Sequence, residues 1–206
     1  PTVASDPVAS DPEPISTLAE KVLKAIQNPV SITDAVVNGV KITSGAWSQV
    51  LKALLESGAT RIMLIGPPGT GKSTTAQLVD GKKTYRITMT DGTQQEDLLG
   101  MFQLVAESDS EGRKVTITKW VDGPATLAMK EGVRLQIDEV THAPAEIRAL
   151  LYGLMDDAPQ VMLGNGEHVI AADGYTVVAT TNDNPSELEP ALMDRCEAIL
   201  LAVTPH

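Results

Sequence analysis

The stretch Gly66-Pro67-Pro68-Gly69-Thr70-Gly71-Lys72-Ser73-Thr74 follows directly on an apolar run, Arg61–Ile65, and opens a helical pattern over Ser73–Val79. No other feature of the chain limits its fold so tightly. GxxxxGK[ST] between a strand and a helix is the phosphate-binding P-loop. Its glycines let backbone N–H groups curl around phosphate oxygens with no Cβ in the way. The helix behind it aims its N-terminal dipole at the same place. Lys72 supplies a point charge for β- and γ-phosphates, and Ser73 a hydroxyl for Mg²⁺. Residues Gly66 to Thr74 are therefore candidate nucleotide contacts. From average residue usage, an accidental match in a chain of this length is on the order of 1%.

Four further apolar runs read as strands: Thr84–Thr90, Val133–Ile137, Tyr175–Thr181 and Ala198–Val203. Helical spacing lies between them at Ala125–Glu131 and Ala145–Met155. Strands alternating with helices imply a parallel sheet covered on both faces, an α/β three-layer arrangement. Two segments read as hairpins. Phe102–Trp120 turns at residues 108–112, and Gln160–Ile170 turns at Gly164-Asn165-Gly166. Ahead of the P-loop, a helix is expected from about Ser44 to Ser57, stopped by Gly58, and another from Ser16 to Asn28-Pro29. Residues 1–14, PTVASDPVASDPEP, repeat VASDP and are dense in Pro and Asp; they read as a disordered tail before a core domain of residues 15–206.

The strand around Leu135-Gln136-Ile137 ends in Asp138-Glu139, the form of a Walker B element. Asp138 is the candidate Mg²⁺ ligand beside Ser73, and Glu139 the group that would polarise an attacking water. Arg134 and Gln136 alternate with Val133, Leu135 and Ile137 there, whereas a central parallel strand is usually apolar throughout. One face of the strand is thus expected to meet something polar, such as a neighbouring subunit.

Composition removes several classes of function. The 206 residues are 42% hydrophobic, enough for one α/β domain and too few for two large ones. A net charge of −11 disfavours nucleic acid and anionic membranes as partners. Cys196 is the one cysteine, and the three histidines are scattered, so neither a disulfide nor a zinc site is indicated. No apolar run is long enough to span a bilayer and no signal peptide is visible, which makes a cytoplasmic protein the expectation.

Taken together, these motifs resemble the AAA+ ATPases, in particular their MoxR and dynein-like branch, over about residues 30–203. GPPGTGKST (66–74) is the AAA+ form of the P-loop. DGTQQEDLLG (91–100) looks like that branch's segment after the second strand. Residues 123–157 are similar to its Walker B region and following helix, ATTNDNP (179–185) to its sensor 1 strand and loop, and LEPALMDRC (188–196) to the segment carrying an arginine finger. The resemblance implies a five-stranded parallel sheet of order 5-1-4-3-2, with hairpins inserted in helix 2 and before sensor 1. It implies that Asn182 orients the lytic water and that Arg195 reaches a neighbour's site. Arg86, on the second strand, is expected to lie away from the P-loop edge.

Two departures stand out. AAA+ proteins normally continue into a helical lid with a second sensor arginine; here a C-terminal helical lid is expected to be absent, whether it was removed, lies on another chain or is dispensed with. His142 stands where MoxR relatives usually carry arginine. The function this implies is a ring-forming, Mg-dependent ATP hydrolase, a hexamer that remodels a client protein, with Lys72, Glu139, Asn182 and Arg195 as catalytic residues and ATP and Mg²⁺ as cofactors. The alternatives are a regulatory ring that binds nucleotide with little turnover, or a DNA-acting motor or GTPase. A small-molecule kinase fits less well, because Asp138-Glu139 with Asn182 and Arg195 suits water attack.

Overall fold

Five parallel strands set the frame, and their apolar residues alternate between two cores. The computed structural model describes residues 33–37, 40–44, 47–108, 110–184 and 188–202. The expected tail over residues 1–14 and the helix from Ser16 lie outside the described residues. In chain order the elements are β1 (Thr33–Val37), β2 (Val40–Ser44), α1 (Trp47–Glu56), β3 (Arg61–Ile65), α2 (Lys72–Leu78), β4 (Thr84–Thr88), α3 (Gln95–Leu99), β5 (Gly100–Ser108), β6 (Lys114–Asp122) and α4 (Pro124–Glu131). They continue with β7 (Arg134–Asp138), a 3₁₀ turn (Val140–His142), α5 (Ala145–Leu154), β8 (Gln160–Met162), β9 (His168–Ile170), β10 (Thr176–Thr181), α6 (Pro190–Met193) and β11 (Ala198–Leu201).

The main sheet runs β2-β1-β11-β3-β10-β7-β4. Its parallel part, β11-β3-β10-β7-β4, is the expected order 5-1-4-3-2. The sheet is larger than expected, however. β1 and β2 form an antiparallel hairpin that pairs onto β11, Ala35 opposite Leu200, and turn five strands into seven. Ser44 accordingly ends a strand instead of opening a helix, and α1 begins at Trp47.

On one face, Met63, Ile65, Leu135, Ile137, Val177 and Ala179 pack under α3, α4 and α5. On the other, Ile62, Leu64, Val178 and Leu200 meet α1 and Ala76 of α2. Helix α1 contributes Trp47, Val50, Leu51, Leu54 and Leu55 at helical spacing, all buried. Each such leucine is worth roughly 2 kcal/mol in apolar area removed from water. The two hairpins β5–β6 and β8–β9 stand apart from the main sheet. The first springs from the end of α3, a one-turn helix whose N-terminus is closed by a capping box, with the Gln94 N–H donating to Asp97 Oδ2 at 2.8 Å.

The polar face of β7 meets the chain's own P-loop helix and not a neighbouring subunit. Arg134, Gln136 and Asp138 are all buried and all point at α2. Arg134 Nη1 donates to the Ala76 carbonyl at 2.9 Å and Nη2 to Asp80 Oδ2 at 2.5 Å, just past the helix end. Gln136 Nε2 donates to the Ser73 carbonyl at 3.0 Å, in the first turn. Carbonyls in the last turn of a helix have no partner inside it, so Arg134 satisfies one that would otherwise be buried and bare.

Candidate nucleotide and metal site

The P-loop hangs between β3 and α2 at the C-terminal edge of the parallel strands, beside the ends of β7 and β10. Its backbone explains its sequence. Gly66 lies so close to the end of β11 that a Cβ there would sit 2.2 Å from the Ala202 carbonyl oxygen. Gly71, the residue before α2, has φ 81°, a left-handed conformation that side chains disfavour. Between them Thr70 Oγ1 closes the loop on the Pro67 carbonyl at 3.0 Å.

Five of the residues expected to act gather in two adjacent hydrogen-bonded groups, Lys72–Asn182–Glu139 and Ser73–Asp138. Lys72, 6% exposed, donates from Nζ to the Gly66 carbonyl at 2.6 Å, the Pro67 carbonyl at 3.0 Å and Asn182 Oδ1 at 2.7 Å. Burial holds its ammonium below the usual lysine range, against the pull of Glu139 and Asp138. Asn182 Nδ2 in turn donates to Glu139 Oε1 at 2.5 Å. Glu139 has φ 53°, the only non-glycine with positive φ among the described residues. Such strain gathers where a side chain must be aimed against the preference of its backbone.

Asp138, at the end of β7, is the most heavily bonded group. Its Oδ1 accepts from Ser73 Oγ at 2.8 Å, Thr180 Oγ1 at 2.9 Å and Gln136 Nε2 at 3.0 Å. Its Oδ2 accepts from Gln136 Nε2 at 3.1 Å and from Arg86 Nε. Burial pushes the Asp138 carboxyl up, but the hydrogen bonds from Gln136, Ser73, Thr180 and Arg86 outweigh it and hold the group below the usual carboxylate range. The expectation for Arg86 is thereby corrected. β4 is remote from β3, yet it lies next to β7 with Arg86 opposite Gln136, on the face that carries Asp138.

Arg195 stands outside both groups. Its Nη1 donates to the Ala191 carbonyl at 2.8 Å and its guanidinium lies over the Tyr152 ring, 4.6 Å from the centroid. His142 is exposed and carries none of the contacts described above. Sequence reading did not identify Thr180, Gln136 or Arg86 as site residues.

The donor set fits a nucleotide with a hard divalent cation. The loop offers amides, one buried ammonium faces its carbonyls, and the Ser73 hydroxyl and Asp138 carboxylate provide adjacent oxygen ligands of the kind Mg²⁺ prefers.

A family model described as AAA domain (dynein-related subfamily) matches residues 61–196. The chain belongs to that family. This AAA domain is similar to protein NorQ of Paracoccus denitrificans (strain Pd 1222), 32% identical over 127 residues that make up 59% of this chain and 43% of that protein. An uncharacterized protein of Staphylococcus aureus (strain USA300) is 34% identical over 127 residues, 59% of this chain and 46% of that one. The AAA chain thus spans less than half the length of these curated relatives. Among solved structures, a protein of Cytophaga hutchinsonii ATCC 33406 superposes with a TM-score of 0.53 at 21% identity, over 88% of this chain and 48% of that one. NtrX of Brucella abortus superposes with a TM-score of 0.52 at 19% identity, over 74% and 36%. At these identities the likeness is one of fold. The MoxR-like AAA+ resemblance and the core strand order agree with these findings, and the domain is a P-loop ATPase module by family.

Proposed function

We propose that this module hydrolyses ATP with Mg²⁺ inside a homo-oligomeric ring, a hexamer, and that hydrolysis drives remodelling of a client protein in the cytoplasm. The observation that supports this most is the relay Lys72–Asn182–Glu139 set beside Ser73–Asp138. It puts a phosphate-binding cation, a group able to hold water and a carboxylate base in contact. The P-loop amides and Lys72 would hold the phosphates, and Ser73 and Asp138 the metal, which would offset phosphate charge in the transition state. Glu139 would take the proton of the attacking water, with Asn182 holding both. Arg195 would serve the site of the adjacent subunit. No helix of the described residues is long and apolar enough to cross a membrane.

The test is a solution mass with and without ATP and Mg²⁺, paired with phosphate release. The reading expects a ring on nucleotide addition and turnover that Glu139→Gln abolishes while nucleotide binding persists. A monomer at all nucleotide concentrations that still turns over would refute the ring; a ring without turnover would refute the enzyme.

A further inference from the structure

Arg86 is the one charged donor of the Asp138 cluster, and the reaction just described leaves it without a task. A carboxylate offers about four lone-pair positions. Around Asp138 these face Ser73, Thr180, Gln136 and Arg86, with Gln136 reaching both oxygens. A divalent cation, bound directly or through its own water, therefore has to take a position from one of these donors.

The donors differ in their freedom to leave. Gln136 is fully buried and also donates to the Ser73 carbonyl. Thr180 is 1% exposed, inside β10. Ser73 keeps a lone pair for a metal when its hydroxyl rotates, so it does not have to withdraw. Arg86 is on β4, at the edge of the sheet, and its side chain is 49% exposed. It reaches Asp138 Oδ2 through Nε alone, and it carries the only positive charge among the donors, which a Mg²⁺ ion nearby would repel.

We propose that Arg86 competes with the metal for Asp138, so that loading Mg²⁺ at this site is an exchange of cations and Arg86 sets how much metal the site requires. The inference rests on the nucleotide-site reading above. It makes Arg86 a metal-competing residue of the same chain, distinct from an arginine acting on the γ-phosphate of a neighbour. Until the metal arrives, the guanidinium balances a carboxylate that is 98% shielded from water, Asp138 being 2% exposed.

The experiment uses Mn²⁺ as the probe. Nucleotide-dependent Mn²⁺ binding is followed by electron paramagnetic resonance at saturating ADP, and Mg²⁺ titrations of fluorescent ADP binding give a second readout without turnover. Arg86→Gln is expected to lower the half-saturating metal concentration about three- to tenfold, the range for a charge-assisted bond at a half-exposed site. Arg86→Lys, which keeps the charge but loses the planar fork, is expected to give a smaller shift and serves if the glutamine variant does not fold. Unchanged metal affinity in both variants overturns the proposal. So does weaker affinity, which would mean that Arg86 props Asp138 in place for the metal. Wild-type protein that binds neither ADP nor Mn²⁺ overturns the nucleotide-site reading as well, whereas an unchanged variant beside a competent wild type overturns the competition alone.

Discussion

At the scale of single residues, the backbone of Glu139 is the most telling detail. A left-handed conformation costs a residue with a Cβ about 1–2 kcal/mol, and here it points the carboxylate at Asn182. Glycine takes this conformation freely but brings extra chain entropy to the unfolded state. Glu139→Gly is therefore expected to hold or gain stability, by up to about 1 kcal/mol, while turnover falls at least ~100-fold. Chemical denaturation checks the first part, and a clear loss of stability would sink the strain argument.

Asp80 and Arg134 give a second residue-scale prediction, because both side chains are shielded from water, 9% and 1% exposed. Burial pushes the Asp80 carboxyl up, but Arg134, with the Lys82 backbone and charge, holds it below its ordinary value. A carboxylate depressed in the fold stabilises at neutral pH, and that stability disappears as pH falls from the unfolded value, about 4, through the folded one. Asp80→Asn leaves the guanidinium uncompensated and is expected to cost about 3 kcal/mol at pH 7. The gap to wild type is expected to close below about pH 4. A gap that stays constant with pH would show that the ion pair is not its source.

Among the elements, the β5–β6 hairpin is the one most detached from the body. It pairs over nine residues a side, from Gly100 opposite Asp122 to Ser108 opposite Lys114. Its base is anchored by Trp120, which meets Phe102 edge-on at 5.3 Å and packs against the larger core. Leu104, farther along the hairpin, is 76% exposed. Replacing residues 105–117 by Asn-Gly is expected to move Tm by no more than about 2 °C. A drop of several degrees would mean that the tip packs on the domain.

Elements differed in how much of them the sequence revealed. β3, α2, β10 and both hairpins could be read because their signals are local: apolar runs, a glycine loop, turn residues. The β1–β2 hairpin was equally local, with Asn38-Gly39 between Val-rich arms, yet its short arms border directly on the helix pattern beyond them and were not read as strands. Arg86 could not be found from its own neighbourhood. Its meaning comes from β4 lying beside β7, a fact of strand order that the implied order 5-1-4-3-2 already contained. The polar alternation in β7 was visible, but the partner was not, since α2 precedes β7 by more than fifty residues.

For the whole molecule, the open question is whether a site is complete within one chain. The two hydrogen-bonded groups hold Lys72, Asn182 and Glu139, and Ser73 and Asp138, while Arg195 rests on Ala191 and Tyr152. An arginine supplied to the γ-phosphate is worth about 10³–10⁵ in rate. Arg195→Ala is expected to bind ATP and lose turnover. Mixing it with Glu139→Gln is expected to restore part of the activity, because only mixed interfaces join an intact site to an intact finger. A mixture as inactive as its parts, with subunit exchange demonstrated, would place Arg195 in its own chain's structure and remove the support for a shared site.

The buried strip on β7 also bears on how the chain avoids folding wrongly. Side chains alternate along a strand, so sliding β7 by one residue between β10 and β4 would exchange its two faces. Arg134, Gln136 and Asp138 would enter the apolar cluster, and Leu135 and Ile137 would be left under the P-loop helix with nothing to satisfy its carbonyls. Most central parallel strands are apolar on both sides, so a slip there exchanges one apolar face for another. In β7 it does not, and so the strand that carries Asp138 also proofreads its own alignment.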